Sequence, residues 1–325
     1  MRTARSVAGE ARAGADLSVP RALVGPTASG KTEASLELAR RLGAEMVLVD
    51  SMTVYRGMDV GTAKPGPDAR AEVPHHLIDV ADPTEPFSVA RFQRLACAAV
   101  RGIASRGRLP LLVGGSGLYF RAVVDDLEFP GTDPGLRALL QTEGRALGPE
   151  KMHARLAELD PDAAARIDPE NLRRSVRALE VAALTGRPFS SFSSAWDRYP
   201  PERVVAAGLR LPSDLLRARI EARVGRMLEG GLVEEARALL DLGFGPFLTA
   251  SQAIGYLEIV RHLEDRLTLE EAAREIVRRT RALARRQMAW FRRDPRIRWF
   301  DVDEEGPPVD EIEEYLRGAA PGRGR

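Results

Sequence analysis

Residues 21–50 read RALVGPTASGKTEASLELARRLGAEMVLVD, and this stretch decides the fold. "RALVG" is a short apolar strand. It runs into a loop, Gly25-Pro26-Thr27-Ala28-Ser29-Gly30-Lys31-Thr32, that satisfies G-x-x-x-x-G-K-[ST] at every fixed position. "TEASLELARRLG" reads as a helix with apolar residues on one face, closed by Gly43. "EMVLVD" is a second buried strand ending at Asp50. With a strand before it and a helix after it, such a loop surrounds phosphate oxygens with backbone amides. The helix N-terminus adds its positive dipole end, Lys31 a point charge, and Thr32 a hydroxyl for Mg2+. The loop specifies a diphosphate-like anion. It does not specify a nucleotide.

Further along, "FSVARFQRLACAAVRGIASRG" is an amphipathic helix and "LPLLVGG" a third strand. Strand, helix, strand, helix, strand is the rhythm of a parallel sheet. Residues from about 134 to 186 read as helices. "ERVVAAGLRL" restores a strand, the chain to about residue 294 is helical, and "IRWFDVD" ends it as a strand. The expected fold is α/β: a P-loop NTPase-like parallel sheet core flanked by helices, with an inserted all-helical domain. The expected division is a disordered tail at 1–19, core at 20–127, helical insertion at 128–202, a mostly helical second part of the core at 203–305, and a tail at 306–325.

The 325 residues carry a formal net charge of +1, with 44% hydrophobic and 29% charged residues, an ordinary globular composition. The single cysteine, Cys97, excludes an internal disulfide framework and reads as a small buried hydrophobe. No apolar run reaches the length of a membrane span, and the first residues lack an apolar signal core. The expectation is a cytoplasmic monomer with no membrane partner.

Strand carboxyl ends converge where ligands bind in an open parallel sheet. Asp50 therefore either faces the loop's ligand or caps a turn. The third strand ends in Gly114-Gly115-Ser116-Gly117, where an ATPase or kinase normally places an acid to help hold Mg2+. That weakens a plain ATPase reading without excluding it. The connection from Asp50 to Pro65 is long and polar, which marks it as functional or mobile. The adjacent His75 and His76 do not share a helical face, so they suit loop hydrogen bonding better than a metal.

Two helices are rich in arginine. "NLRRSVRALEV" carries Arg173, Arg174 and Arg177. "REIVRRTRALARRQMAWFRRD" carries Arg278, Arg279, Arg281, Arg285, Arg286, Arg292 and Arg293 with no acid among them, and Ile276, Leu283, Trp290 and Phe291 to anchor it. A solvated face normally interleaves acids with its bases. A localised basic face on a near-neutral chain suits nucleic acid or polyphosphate; a merely solvated face is the bland alternative.

"GPTASGKT", "VDSMTVYRGMDVGTAKP", "PHHLIDVADPTEPFSVARF", "LLVGGSGLYF", "NLRRSVRALEV", "QAIGYLE" and "TRALARRQMAWFRRD" together resemble the tRNA dimethylallyltransferase (isopentenyltransferase) family, in order from about residue 21 to 300. The resemblance implies transfer of a dimethylallyl group from dimethylallyl diphosphate to the exocyclic amine of the adenine 3′-adjacent to the anticodon, with Mg2+ present and diphosphate released. It implies that Gly25 to Thr32 cradle the donor's diphosphate, that Thr32 helps place Mg2+, and that Asp50 is the general base. Asp50, Ser51, Met52 and Thr53 match a base-contacting segment, and Ser116 stands where the family usually has threonine. Arg173, Arg174, Ser175, Val176 and Arg177 match a tRNA-contacting stretch, and Arg137 a further contact. In "LRARIEARV", Arg219 and then Arg223 match an arginine that meets the diphosphate. Arg279 and Arg286 of the basic helix join the expected tRNA surface. The alternatives are an adenylate isopentenyltransferase, a P-loop small-molecule kinase, and a non-catalytic RNA-binding protein.

Overall fold

The computed structural model describes residues 19–125, 127–193, 196–244 and 250–318. Nearly all of the expected N-terminal tail lies outside the described residues. The first half of the core holds β1 (Arg21–Val24), α1 (Lys31–Leu42), β2 (Ala44–Leu48), α2 (Pro67–Glu72), β3 (His75–His76), α3 (Val89–Ser105), β4 (Leu109–Gly114) and α4 (Gly117–Val124). Four helices follow: α5 (Pro134–Leu147), α6 (Pro149–Leu159), α7 (Pro161–Ala164) and α8 (Leu172–Thr185). The chain then returns through β5 (Val205–Arg210), α9 (Ser213–Glu229), α10 (Leu232–Asp241), α11 (Tyr256–Leu263), α12 (Leu269–Phe291), β6 (Ile297–Asp301) and α13 (Val309–Gly318).

The six strands form one parallel sheet in the order β3-β2-β4-β1-β5-β6. Strand residues point alternately to the two faces. Ala22 and Val24 of β1 join Val47, Leu112 and Ala206 against α3, α4, α9 and α12. Leu23 joins Met46, Leu111, Val113 and Ala207 against α1 and α13. Burial on both faces is why these strands read as unbroken apolar runs. The α5–α8 helices keep a core of their own, built on Leu140, Met152, Leu156, Val176 and Leu179.

Several expectations change. Residues 306–325 are not simply a tail, because α13 buries Ile312, Tyr315 and Leu316 on the sheet, and Arg21 Nε donates to the Leu316 carbonyl at 2.8 Å. Spacing of three and four residues puts those apolar side chains on one helical stripe. Residues 319–325 lie outside the described residues. Cys97 is only partly buried. His75 and His76 form an edge strand against β2, with His76 Nε2 2.7 Å from Glu45 Oε2. In the basic helix α12, Ile276 and Phe291 are buried with Ala284 and Gln287, but Trp290 is 40% exposed.

A buried network ties the returning chain to the core. Arg296 bridges Asp125 and Asp294 at 2.7 Å each, and Arg121 reaches Asp125 at 2.5 Å. Arg121 also donates to the carbonyls of Trp196 and Arg198. Among the described residues no helix is long and apolar enough to cross a membrane.

Candidate active site

The carboxyl ends of β1, β2 and β4 open into a cavity of about 800 Å³. Thr27 to Thr32 line it, with left-handed backbone at Ala28 (φ 63°) and Gly30 (φ 84°). Turns of this kind make consecutive amides converge on an anion. Gly25 and Pro26 are buried behind the loop and do not line the cavity. Gln287 of α12 fixes the loop from the side, its Oε1 accepting from Thr27 N at 2.8 Å.

Lys31 opens α1, and its Nζ donates to the Pro26 carbonyl at 2.5 Å and to Ser29 Oγ at 3.3 Å. Burial, and then the guanidinium of Arg223, push its ammonium down to about 7, while Asp50 and Glu33 pull the other way. Arg223 itself is lowered, first by burial. Arg219, Arg223 and Arg226 fall at i, i+4 and i+7 on α9, one helical face, and all three line the cavity. Arg219 Nη2 also donates to the Asp303 carbonyl at 2.8 Å. With Lys64 on the opposite strap, five cationic residues line the cavity an anion would enter: Lys31, Lys64 and these three.

Asp50 lies two residues beyond β2 and lines the same cavity. Its Oδ1 accepts from Met52 N at 2.7 Å and Thr53 N at 3.4 Å, an Asx turn that fixes the carboxylate. Thr53 lines the cavity too, and its buried Oγ1 has no hydrogen-bond partner. Ser51 and Met52 do not line it.

The glycines at the end of β4 are closely packed. A Cβ on Gly114 would sit 2.3 Å from the Val49 carbonyl oxygen, and one on Gly115 2.4 Å from Gln287 Nε2. Backbone blocks a side chain, and so a metal-binding acid, at Gly114, whereas one at Gly115 would have to displace the Gln287 amide that holds Thr27. Ser116 turns away as the N-cap of α4, accepting from Tyr119 N at 3.5 Å, and does not line the cavity.

The arginine helices divide. On α8, Arg173 and Arg174 are exposed, whereas Ser175 and Val176 are buried and cannot present side chains to an RNA. Arg177 and Arg137 both turn onto fully buried Glu180, at 2.9 and 2.7 Å. Burial pushes that carboxyl up, but Arg177, Arg137 and the Asp133 amide hold it below the usual range. On α12, Arg279 pairs with fully buried Glu258 of α11. Arg286 is exposed, as are Arg281, Arg285, Arg292 and Arg293, without an acid partner among the described residues.

A family model described as IPP transferase matches residues 53–294, and one described as isopentenyl transferase matches residues 19–74. The chain belongs to the IPP transferase family. It is 50% identical over 304 residues to a tRNA dimethylallyltransferase of Desulforudis audaxviator, covering 92% of this chain and 98% of that one. It is 54% identical over 284 residues to a tRNA dimethylallyltransferase of Salinispora tropica, covering 87% and 88%. Among solved structures it is similar to the full-length tRNA isopentenylpyrophosphate transferase of Bacillus halodurans, with 43% identity, a TM-score of 0.67, and 93% and 96% coverage. It is also similar to a eukaryotic dimethylallyltransferase acting on tRNA, with 25% identity, a TM-score of 0.71, and 87% and 73% coverage. The α/β fold with its parallel sheet is thus the fold of IPP transferases.

Sequence reasoning marked the connection from Asp50 to Pro65, which supplies Val60 and Thr62–Pro65 to the wall, but missed Arg226, Gln287 and Glu305–Pro307. The seven-residue step from Arg219 was the signal for Arg226. A lone glutamine in a basic helix carries none.

Proposed function

We propose that this protein is a tRNA dimethylallyltransferase that moves a dimethylallyl group from dimethylallyl diphosphate to the exocyclic amine of the adenine 3′-adjacent to the anticodon. One observation carries the site reading: a phosphate loop, three arginines of α9 and Asp50 share a single cavity, while the Val49 backbone excludes from Gly114 the acid that an ATPase would place at this strand end.

The donor's diphosphate lies on the loop from Thr27 to Thr32, with Lys31, Arg219 and Arg223 taking up the charge that grows as the allylic C–O bond breaks. Cation-like character develops at the departing carbon, and the adenine nitrogen closes on it to form the new N–C bond. The amine is a poor nucleophile because its lone pair is delocalised into the ring. Asp50 accepts the amine proton as that bond forms and diphosphate leaves. The Asx turn occupies Oδ1 and leaves Oδ2 for the proton.

Thr32, exposed on the cavity wall, is a hard oxygen donor suited to Mg2+. Among the described residues no cluster of three His, Cys, Asp or Glu forms a metal cage. Mg2+ bound through one or two protein oxygens and the diphosphate needs none. When bound, it would neutralise charge on the leaving group.

A target base held in an anticodon loop must be unstacked to enter such a cavity. The exposed arginines of α8 and α12 supply a basic surface for the RNA backbone. Mass analysis of tRNA nucleosides after incubation with dimethylallyl diphosphate tests the reading; a prenylated adenosine is expected. Transfer from ATP, or prenylation of AMP with none of an anticodon stem-loop, overturns it. Asp50→Ala is expected to abolish turnover while tRNA affinity stays within about twofold.

A further inference from the structure

One wall of the cavity is a strap of main chain, residues 60–65, rather than a helix or strand. Its shape is held from behind by a carboxylate that does not line the cavity. Glu235 of α10 accepts from Asp59 N and Val60 N through Oε2, at 2.8 Å each, and from Gly61 N through Oε1 at 3.0 Å. Tyr256 of α11, fully buried, donates its hydroxyl to the same Oε1 at 2.6 Å. Four donors fill the acceptor sites of one carboxylate.

The fit is close. A Cβ on Gly61 would lie 2.5 Å from the Tyr256 ring, so only glycine lets the strap sit this near. At its other end the strap is pinned by Lys64, whose Nζ donates to the Tyr55 carbonyl at 2.5 Å, Asp59 Oδ1 at 2.7 Å and Asp79 Oδ1 at 2.6 Å. Between the two anchors, the Thr62 carbonyl faces Arg223 Nη2 at 3.5 Å. Arg223 is the cavity arginine whose charge acts directly on Lys31.

We propose that Glu235, backed by Tyr256, is a positioning residue for the prenyl donor: it holds the Asp59–Gly61 amides so that the strap sets the cavity wall and the aim of Arg223. The proposal rests on the reading that this cavity binds the donor's diphosphate. Glutamine at 235 keeps the size of the side chain but turns one acceptor into a donor facing backbone N–H groups, so the strap loses part of its hold. Tyr256→Phe removes one bond and keeps the ring under Gly61.

The test is steady-state kinetics with dimethylallyl diphosphate and an anticodon stem-loop, alongside thermal melts. Glu235→Gln is expected to raise KM for the donor about tenfold and leave KM for the RNA within about twofold. Tyr256→Phe moves donor KM the same way by less. In an Arg223→Ala background, Glu235→Gln adds less than twofold, because both changes act on one contact. An unchanged donor KM in folded Glu235→Gln, a parallel rise in both KM values, or full additivity with Arg223→Ala overturns the proposal. If Glu235→Gln does not fold, Tyr256→Phe carries the test on the same criteria. A wild-type protein inactive with dimethylallyl diphosphate refutes the donor reading itself; an active wild type with unaffected variants refutes only the positioning role.

Discussion

Helices α8 and α12 look alike as sequence and differ as chemistry. On α8, Arg177 folds back with Arg137 onto buried Glu180, and Arg177 also ties down the carbonyls of Pro130 and Gly131. On α12 only Arg279 finds a buried acid, and Arg281, Arg285, Arg286, Arg292 and Arg293 face solvent. An arginine is a docking charge or an internal tie according to the acid it meets in three dimensions. That acid lies outside its own motif for Arg279 and for Arg137. Lys31 is the limiting case, a partly buried amine with no acid partner among the described residues, whose hydrogen bonds go to a carbonyl and a hydroxyl.

The largest effect should come from the internal ties. Glu180→Gln or Glu258→Gln takes away a buried carboxylate and the charge-assisted bonds its half-buried arginines make to it, which costs about 2 kcal/mol. Denaturant unfolding would show it as a lower midpoint. For Glu180 the sign with pH follows: its folded carboxyl lies below the unfolded value, so its contribution is full above the unfolded pKa and lost as pH falls through the folded one. A midpoint unmoved in both variants would erase the contrast between the helices.

Next comes Lys31. The partly buried Lys31 ammonium is held at about 7, below its unfolded value, so the free protein binds fewer protons than the unfolded chain above pH 7. Its stability therefore gains from Lys31 as pH rises from there toward the unfolded pKa. A bound diphosphate restores the charge, so binding at pH 8 should take up a proton, and donor affinity should fall with rising pH by up to about tenfold per unit. Calorimetry in buffers of different ionisation enthalpy, with Lys31→Met correcting for the ligand's own protons, measures the uptake; equal uptake by both proteins would contradict it.

The smallest effect on stability belongs to the exposed arginines. Arg285→Ala or Arg286→Ala should change stability by no more than about 0.5 kcal/mol. Each should lower the salt slope of tRNA binding by roughly 0.7–0.9 if it neutralises one phosphate. Arg137→Ala should do the opposite, losing stability with little change in slope.

The phosphate loop, the strands and the helical block were legible because each is a local pattern. A glycine motif, an apolar run or a 3.6-residue period needs no knowledge of the rest of the chain. The glycines at the end of β4 were legible as an absence, and for Gly114 the structure supplies the reason in the Val49 backbone. What stayed hidden is held by long-range partners. Glu235 acts on amides 174 to 176 residues away, and no side-chain motif marks a main-chain partner. Ser175 and Val176 lie in an arginine stretch, but only the packing of α8 on its neighbours shows that they face inward. The edge strand at His75–His76 is too short for any periodicity, and α13 is masked by the prolines and glycines around it.

The stapling of Arg21 to Leu316 bears on how the protein is made. The phosphate loop is among the first folded parts to be synthesised, yet β1 sits between β4 and β5 and is bonded to a helix 295 residues further on. The two strand partners of β1 are complete by residue 210, but its anchor on α13 waits until nearly the whole chain has been made. The α5–α8 helices, with local contacts and a core of their own, can close earlier. On this order the α5–α8 block forms before the phosphate loop is locked in place, so a prematurely terminated chain would carry that block without a complete cavity.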